Sequence, residues 1–320
     1  MAYFNVIQSG ILSLIQDKGR TRFLHAGMAQ SGAMDGWSAY WANKLCGNPR
    51  YVPLIEISMG GIELEASDDT TIVVTGADTP AWLNQSEVST WRTLRVRAGD
   101  KLKLGYPKTG LRNYIAVRGG FQVKPLFGSA STSLREGVGG HNGNGSLLSK
   151  GEKLLYMPSK VALDLSLPTR WREWWKDEDE LLSSCHFRLM PCNQYHSFPK
   201  SIRRAILSEP FTVSADISRM GYRLTGPSLS HALPGMMSEA TALGAIQLPP
   251  SGEPIVLLND RQTLGGYPKV GALSQIDCWR LSQKQPNDTL YFQLTSIVRA
   301  QLRTHSMLSL MDDLSPHSGE

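Results

Sequence analysis

The sequence has few cysteines and no long apolar run. Its 320 residues include four cysteines, which are too few and too scattered for a disulfide framework. No stretch reaches the roughly 20 consecutive apolar residues that a membrane-spanning helix needs. The first 14 residues also lack the basic start and the small-residue cleavage site of a signal peptide. These absences predict a cytoplasmic protein whose thiols are reduced.

A concentrated block of positive charge is also absent. Lys and Arg total 33, Asp and Glu total 28, and the resulting net charge of +5 is spread along the chain. Proteins that bind nucleic acid typically concentrate basic residues in one run or on one face. We therefore expect neither nucleic acid nor a membrane as a partner. A mildly basic surface suits an anionic small molecule or an acidic protein.

Metal-binding and phosphate-binding motifs are missing as well. Potential metal ligands cluster at Cys185, His186, Cys192 and His196, but structural zinc sites favour Cys pairs two to four residues apart. We therefore predict no bound metal. The glycine-rich stretch 137–145 lacks the Gly-Lys-Ser/Thr ending of a P-loop, and this favours a mobile surface loop.

Glycine and proline divide the chain into many short segments with strand patterns. The sequence contains 30 Gly and 18 Pro, and short strands that end at Gly, Pro or Asp turns are typical of barrels or sandwiches. The clearest strand segments are residues 72–75, 94–97, 114–117, 254–258 and 290–294. We therefore predict a mainly β fold with a few short helices.

Three helices are predicted from capping residues and apolar spacing. The first runs from about Ser31 or Asp35 to Cys46, with Asp35 as a good N-cap. The second begins near Thr169, and the third covers residues 276–285 before a proline. In the second, an aromatic stripe is expected to be a packed helix face or a partner contact. The stripe consists of Trp171, Trp174 and Trp175.

The composition changes once along the chain and suggests two halves. Residues 166–184 are charged, rich in Trp and without a strand pattern, so we predict a seam there. A β-rich half is predicted for residues 1–165, a β-barrel half for 185–302, and a disordered tail for 303–320. Both halves contain a turn followed by a strand, at residues 98–102 and 285–290, which suggests two related barrels.

Four blocks of residues carry a resemblance to a known family. They are residues 16–20, 31–35 and 42–48 in the first block, 56–61 in the second, 114–120 and 128–132 in the third, and 219–227, 238–239, 244–252 and 260–269 in the fourth. In this order they resemble the biotin-dependent carboxyltransferase family, over about residues 6–294. The resemblance implies cyclophilin-like β-barrels in two halves.

The resemblance also implies a function and partners. Its first implication is an ATP-dependent enzyme that opens 5-oxoproline to L-glutamate. In such an enzyme this chain is inactive alone, and it works with an A subunit and with a smaller B subunit of related fold. ATP with Mg²⁺ is then expected in the complex. One alternative is a carboxyltransferase or allophanate hydrolase-type subunit that acts on urea-like amides, with biotin carried by another chain. A further alternative is a non-catalytic antagonist that binds a kinase-inhibitor protein.

Three positions depart from the family pattern. Asn144 replaces a usual Arg and would weaken an anion contact if that Arg makes one. Glu152 stands where the family has Asp, and Asn287 stands where it has Gly. The last change is mild, because Asn tolerates a left-handed backbone.

The fourth block contains the residue types that amide chemistry needs. An enzyme that attacks an amide must stabilise negative charge on its oxygen, for which Arg or backbone N–H groups serve, and must accept a hydrogen bond from its N–H. We predict Arg261, Lys269 and Asp260 as catalytic residues, with Lys269 offsetting phosphate or carboxylate charge. The predicted substrate-binding residues are Arg219, Tyr222, Arg223, Gln247, Gln262, Thr263, Gly265, Gly266 and Tyr267.

The earlier blocks supply residues that are expected to support the site or the fold. These are Gln16, Asp17, Arg20, Ser31, Asp35, Asn43 and Glu56. Asp17 with Arg20, and Asp260 with Arg261, are alternatively structural pairs, because charged groups are usually paired when buried. Glu56 is either a functional carboxylate or one tied to backbone N–H groups or to an Arg.

Overall fold

The computed structural model describes residues 1–161, 163–172, 185–233 and 236–318, which form two compact units. The first unit comprises residues 1–22, 31–173 and 315–320, and the second comprises 23–30 and 174–314, each within the described residues. The change of unit after residue 173 falls inside the predicted seam. Trp174 and Trp175 of the predicted aromatic stripe lie outside the described residues. The predicted domain boundaries stay predictions.

The described residues contain 22 strands and five α-helices. The strands are β1 (Ala2–Ser9), β2 (Leu12–Gln16), β3 (Leu54–Ser58), β4 (Ile62–Ala66), β5 (Thr70–Asp78), β6 (Ala81–Leu83), β7 (Ser86–Val88), β8 (Thr93–Val96), β9 (Lys101–Leu104), β10 (Thr109–Val117), β11 (Lys153–Tyr156), β12 (Leu165–Ser166), β13 (His186–Pro191), β14 (Phe211–Ile217), β15 (Gly221–Thr225), β16 (Glu239–Ala240), β17 (Ala245–Gln247), β18 (Ile255–Leu257), β19 (Leu264–Gly265), β20 (Lys269–Leu273), β21 (Thr289–Leu294) and β22 (His317–Ser318). The helices are α1 (Gly36–Leu45), α2 (Thr169–Arg172), α3 (Lys200–Ser208), α4 (Gln275–Ser282) and α5 (Ile297–Asp313).

The first unit is built on two antiparallel sheets. One has six strands in the order β11-β1-β4-β9-β6-β7, and the other has five in the order β2-β3-β10-β5-β8. Residues of β1 alternate between buried and half-buried, so that Phe4 and Val6 enter the core. Strands β5 and β10 are buried almost throughout and α1 packs against both, as expected of strands covered on two faces.

Helix α1 confirms the first predicted helix and its cap. The Asp35 carboxylate accepts hydrogen bonds from the backbone N–H of Trp37 and of Ser38, each at 3.1 Å. It therefore satisfies two of the N–H groups that a helix start leaves without partners. Helix α4 similarly confirms the third predicted helix, and Ser274 is its N-cap.

The second unit is a closed seven-stranded barrel. Its strands follow the order β13-β20-β17-β18-β15-β14-β21, and every neighbouring pair is antiparallel except β13 with β21. Strand β15 alternates, with Tyr222 and Leu224 buried and Arg223 half-buried. Two aromatic side chains, Phe211 and Phe292, pack with ring centroids 5.4 Å apart. The predicted mainly β class is confirmed, and "cyclophilin-like" stays a prediction.

Two helices lie where none was predicted. Residues 303–313 belong to α5, so the prediction of a disordered tail from residue 303 is wrong for this part. Ser296 caps α5 by accepting from the Arg299 N–H, and Met311 is buried near its end. Helix α3 buries Ile202 and Ile206, one turn apart. Within the residues described, no helix has the length and apolar character to cross a membrane.

Candidate functional site

A cleft of about 240 Å³ opens on the second unit beside four of the predicted substrate-binding residues. Its lining residues are Asp216, Ser218, Met220, Gly221, Arg223, Gln247, Ile255, Leu257, Gln262 and Tyr267. The predicted ones among them are Arg223, Gln247, Gln262 and Tyr267. Segments far apart in sequence thus meet at one face of the barrel.

Strand alternation explains which side chains reach the cleft. In β15, Gly221 and Arg223 line it while Tyr222, between them, is buried. The Tyr222 hydroxyl donates to the Ser282 carbonyl oxygen at 3.3 Å. The structure therefore does not bring Tyr222 to the cleft, and its predicted contact with substrate is not supported by its position.

Gln247 is the most deeply buried polar residue of the cleft. Its side chain is 1% exposed, and among the described residues its Nε2 has no hydrogen-bond partner. Gly265 lies directly beside it, because a Cβ on this glycine would stand 2.5 Å from Gln247 Nε2. Only a glycine leaves the backbone this close to the amide.

Arg223 brings positive charge to the cleft, and two carboxylates share it. Its Nε donates to Asp216 Oδ2 at 3.0 Å, and its Nη1 donates to Glu253 Oε2 at 3.2 Å. The pKa of Arg223 is raised, and the hydrogen bond to Asp216 is the main cause. One cation held by two anions leaves no surplus positive charge at this end of the cleft.

Asp260 and Arg219 form a buried ion pair away from the cleft lining. Arg219 Nε donates to Asp260 Oδ2 at 2.8 Å, and its Nη2 donates to Asp260 Oδ1 at 3.0 Å. The pair is two-pronged, which is the strong geometry for a guanidinium with a carboxylate. The expected structural pairing of Asp260 is therefore observed, but its partner is Arg219 and not Arg261.

Arg261 is buried and donates to backbone carbonyl oxygens. Its Nε donates to Thr241 O and its Nη1 to Leu258 O, both at 3.3 Å. Burial lowers its pKa, because the charged form loses hydration. The side chain thus ties the residue after β18 to the segment before β17, and it is not among the cleft-lining residues.

Lys269 belongs to a small polar cluster with Glu239 and Gln194. Its Nζ lies 2.7 Å from Glu239 Oε1, and its backbone N–H donates to Gln194 Oε1 at 2.7 Å. Gln194 Nε2 donates to the same Glu239 oxygen. Hydrogen bonds from Lys269 and then from Gln194 lower the pKa of Glu239. Lys269 is therefore paired with a carboxylate and is not among the lining residues.

Two further predicted residues of the fourth block, Thr263 and Gly266, are not among the lining residues, and their backbones bind other segments. The Thr263 carbonyl oxygen accepts from Thr241 N–H at 3.0 Å, and the Gly266 carbonyl oxygen accepts from Met236 N–H at 3.4 Å. Sequence reasoning missed Asp216, although its place seven residues before Arg223 in the β14–β15 hairpin was a usable signal.

In the first unit, the side chains of Asp17 and Arg20 both bind the loop of residues 129–131. No described contact joins these two side chains to each other. Asp17 accepts from the Ser131 hydroxyl at 2.6 Å and from the Ala130 N–H at 2.7 Å. Arg20 Nη2 donates to the Ser131 carbonyl oxygen at 2.6 Å. Both therefore hold residues 129–131 in place, consistent with their predicted supporting role.

Gln16, Ser31 and Asn43 are buried in the same unit. Gln16 Oε1 accepts from Gly32 N–H at 3.0 Å and its Nε2 donates to Thr132 O at 3.1 Å. Ser31 has a positive φ of 55°. Asn43 Nδ2 donates to the Val52 carbonyl oxygen at 3.0 Å.

Glu56 is tied to backbone and side-chain donors, as one of its two predicted readings requires. Its Oε2 accepts from Met34 N–H at 2.8 Å and from the Tyr114 hydroxyl at 2.9 Å, and its Oε1 lies 4.0 Å from Arg112 Nε. The Tyr114 oxygen in turn accepts from Asp35 N–H at 2.8 Å. Burial and the neighbouring Glu56 charge raise the pKa of Tyr114 well above its ordinary value.

No group of three or more His, Cys, Asp or Glu side chains in the described part of the chain could hold a metal ion. Cys46 and Cys278 are buried, and Cys192 Sγ donates to the Lys269 carbonyl oxygen at 2.9 Å.

The chain is similar to known proteins over almost its whole length. The family model for the carboxyltransferase domain, subdomain A and B, matches residues 26–294. The chain is 34% identical to the C subunit of 5-oxoprolinase from Escherichia coli (strain K12) across 92% of both chains. It is 31% identical to a putative urea carboxylase of Emericella nidulans across 98% of this chain, but across only 26% of that protein.

Solved structures agree with these relatives. The urea amidolyase of K. lactis superposes with a TM-score of 0.85 at 25% identity, covering 98% of this chain and 20% of that one. A protein designated TTHA0988 superposes with a TM-score of 0.78 at 33% identity, covering 92% of this chain and 56% of that one.

Proposed function

Because the chain belongs to the family of carboxyltransferase domains with subdomains A and B, we propose that it is the C subunit of an ATP-dependent 5-oxoprolinase. With the A and B subunits it would open 5-oxoproline to L-glutamate in the cytoplasm. One observation carries the proposal, namely that the 5-oxoprolinase relative matches this chain over 92% of both lengths. The 5-oxoprolinase subunit is also 34% identical to this chain, against 31% for the putative urea carboxylase and 25% for the K. lactis urea amidolyase.

The cleft on the second unit is the proposed substrate site. Its volume of about 240 Å³ suits a ligand smaller than a typical drug. Apolar side chains from Met220, Ile255 and Leu257 face polar groups from Gln247 and Gln262. This combination fits a small ring with one amide, because the ring needs apolar contact and the amide needs both a donor and an acceptor.

The residues that line the cleft do not fit a triphosphate. The carboxylates of Asp216 and Glu253 flank its arginine, Arg223, and they would repel the multiple negative charges of a triphosphate far more than the single carboxylate of 5-oxoproline. We therefore assign ATP and Mg²⁺ to the complex with the A and B subunits and not to this cleft.

We propose that Asp260, Arg261 and Lys269 support the cleft through their neighbours. Each is held by protein partners, namely Arg219, backbone carbonyl oxygens and Glu239 respectively. Their loss would disturb the segments that carry Gln247, Gln262 and Tyr267. In this account the chain positions the substrate, and the partner subunits complete the reaction.

A second candidate is a carboxyltransferase subunit that acts on urea-like amides. The high structural similarity to the K. lactis urea amidolyase favours it. Biotin would then reach the cleft on another chain. The same amide-binding cleft serves either reaction, so the two candidates differ in what the partner subunits deliver.

Reconstitution tests the proposal. The purified chain is mixed with candidate A and B subunits from the same organism, and glutamate release from 5-oxoproline is measured with and without ATP, leaving out one protein at a time. We expect release only when all three proteins and ATP are present. Release that continues without this chain, or no release from an assembled complex, would contradict the proposal.

A further inference from the structure

One N–H donor in the cleft is buried without a partner among the described residues. Gln247 Nε2 has almost no contact with solvent and no hydrogen bond, although the residue lines the cleft. Buried polar groups in folded proteins are nearly always hydrogen-bonded. A donor left in this way at the wall of a cleft is expected to be satisfied by the ligand.

The guanidinium groups nearby already have partners. Arg223 is shared by Asp216 and Glu253, and Arg219 makes its two-pronged pair with Asp260. Arg261 donates to two backbone carbonyl oxygens. The sequence favoured an arginine for the amide oxygen of the substrate. The geometry instead leaves that oxygen to a side-chain amide.

The backbone beside Gln247 is shaped for close approach. Gly265 lies so near that a methyl group there would stand 2.5 Å from Gln247 Nε2 and 3.1 Å from Thr241 Cγ2. Strand pairing holds this glycine opposite Glu239, which the ion pair to Lys269 ties to β20. The glycine therefore keeps a side chain away from the Gln247 amide.

We propose that Gln247 determines substrate specificity by donating its Nε2–H to the carbonyl oxygen of the bound amide. This assignment deepens the proposed function and rests on it. A ligand without that oxygen leaves the Gln247 donor unsatisfied, and sites built around a hydrogen bond discriminate strongly against such analogues. We expect the preference for 5-oxoproline over an analogue without the lactam to be roughly a hundredfold, and the Gln247→Leu variant to lose most of it.

The test compares two ligands on matched variants of the reconstituted complex. KM and kcat for 5-oxoproline, and the inhibition constant of cyclopentanecarboxylate, are measured for the wild type, Gln247→Leu and Gln247→Glu. Cyclopentanecarboxylate keeps the ring and carboxylate but has no lactam. Gln301→Leu is the control, because Gln301 is exposed on α5. Thermal unfolding of each variant reports whether the fold survives.

The expected result is a KM for 5-oxoproline at least tenfold higher in both Gln247 variants, with little change in the inhibition constant of the analogue and no effect of the control. The role of Gln247 is overturned if the complex is active and Gln247→Leu keeps the wild-type ratio of the KM for 5-oxoproline to the inhibition constant of cyclopentanecarboxylate. This outcome leaves the proposed function standing. If the wild-type complex releases no glutamate, direct titration of the chain with 5-oxoproline and with urea decides the matter. The inference is supported if the wild-type chain binds either probe and Gln247→Leu abolishes that binding. It is overturned if both chains bind equally or if the wild type binds neither probe.

Discussion

The buried pair of Arg219 with Asp260 should stabilise the barrel and have no catalytic role of its own. Both side chains are almost inaccessible, at 3% and 4% exposed, and two short charged hydrogen bonds join them. Asp260→Ala removes the carboxylate and leaves the guanidinium buried. Breaking such a pair from one side typically costs about 3–5 kcal/mol.

The size of the effect in a melting experiment follows from this cost. In units of 150–250 residues each kcal/mol shifts the unfolding midpoint by roughly 2–4 °C, so Asp260→Ala should lower it by about 10 °C. Arg219→Met should act similarly, because it leaves the carboxylate buried instead. The double variant Arg219→Met with Asp260→Leu should recover much of the loss, because apolar pairs of similar volume often replace buried ion pairs without penalty.

The assay is thermal unfolding followed by circular dichroism, with guanidinium titration as a second measure of the free energy of unfolding. A double-mutant cycle gives the coupling between the two positions. The reasoning is refuted if each single change costs under about 1 kcal/mol while glutamate release is lost. That outcome would make Asp260 a catalytic carboxylate.

Other consequences follow from single contacts. The pKa of Glu239 is lowered, so its ionised carboxylate stabilises the fold at pH values above the ordinary pKa of 4.5, and this stabilisation is lost as the pH falls through the lowered pKa. The melting midpoint of the wild type should therefore fall more steeply with acid than that of Glu239→Gln. Burial raises the pKa of the Cys46 and Cys278 thiols, so both should resist iodoacetamide at about pH 8 in the folded chain and react after denaturation, as read by mass spectrometry. Tyr114→Phe removes the donor to Glu56 and should cost about 1–3 kcal/mol of unfolding free energy; equal melting of variant and wild type would contradict it.

Local signals predicted the elements that have local causes. The β-branched run at residues 72–75 lies within β5, and the Asp35 cap begins α1 one residue later. Asn287 takes a φ of 75°, the left-handed backbone that made its replacement of glycine mild. Helix α5 was missed because its apolar residues are largely exposed near its start, where Ile297 and Val298 remain accessible.

Residues of the fourth block contribute to the lining of the cleft, but the sequence did not predict which of their side chains do so. The assignment of this cleft as the site stays a prediction. Which side chains face the cleft depends on strand register, and this separates Arg223 from its neighbour Tyr222. Register is set by pairing between distant strands, and a single sequence does not state that pairing.

Long-range partners were the other unpredictable part. Asp260 pairs with a residue 41 positions earlier, and Lys269 pairs with Glu239 from a separate small sheet. Both residues were predicted to be catalytic, and the alternative for Asp260 was a structural pair with Arg261. Gln247 was one of several predicted substrate-binding residues, and the missing partner of its Nε2 becomes visible only when the surrounding polar groups are accounted for in three dimensions.

The central claim is that this chain serves lactam opening and not carboxyl transfer. The most direct measurement offers the assembled complex both chemistries side by side. Glutamate release from 5-oxoproline and incorporation of labelled bicarbonate into urea are measured in the presence of ATP, a biotin carboxylase and its biotinylated carrier protein. Our account predicts ATP-dependent glutamate release that needs neither bicarbonate nor biotin, and no label in urea. Labelled urea product without glutamate release would contradict it and assign the chain to the carboxyltransferases that act on urea.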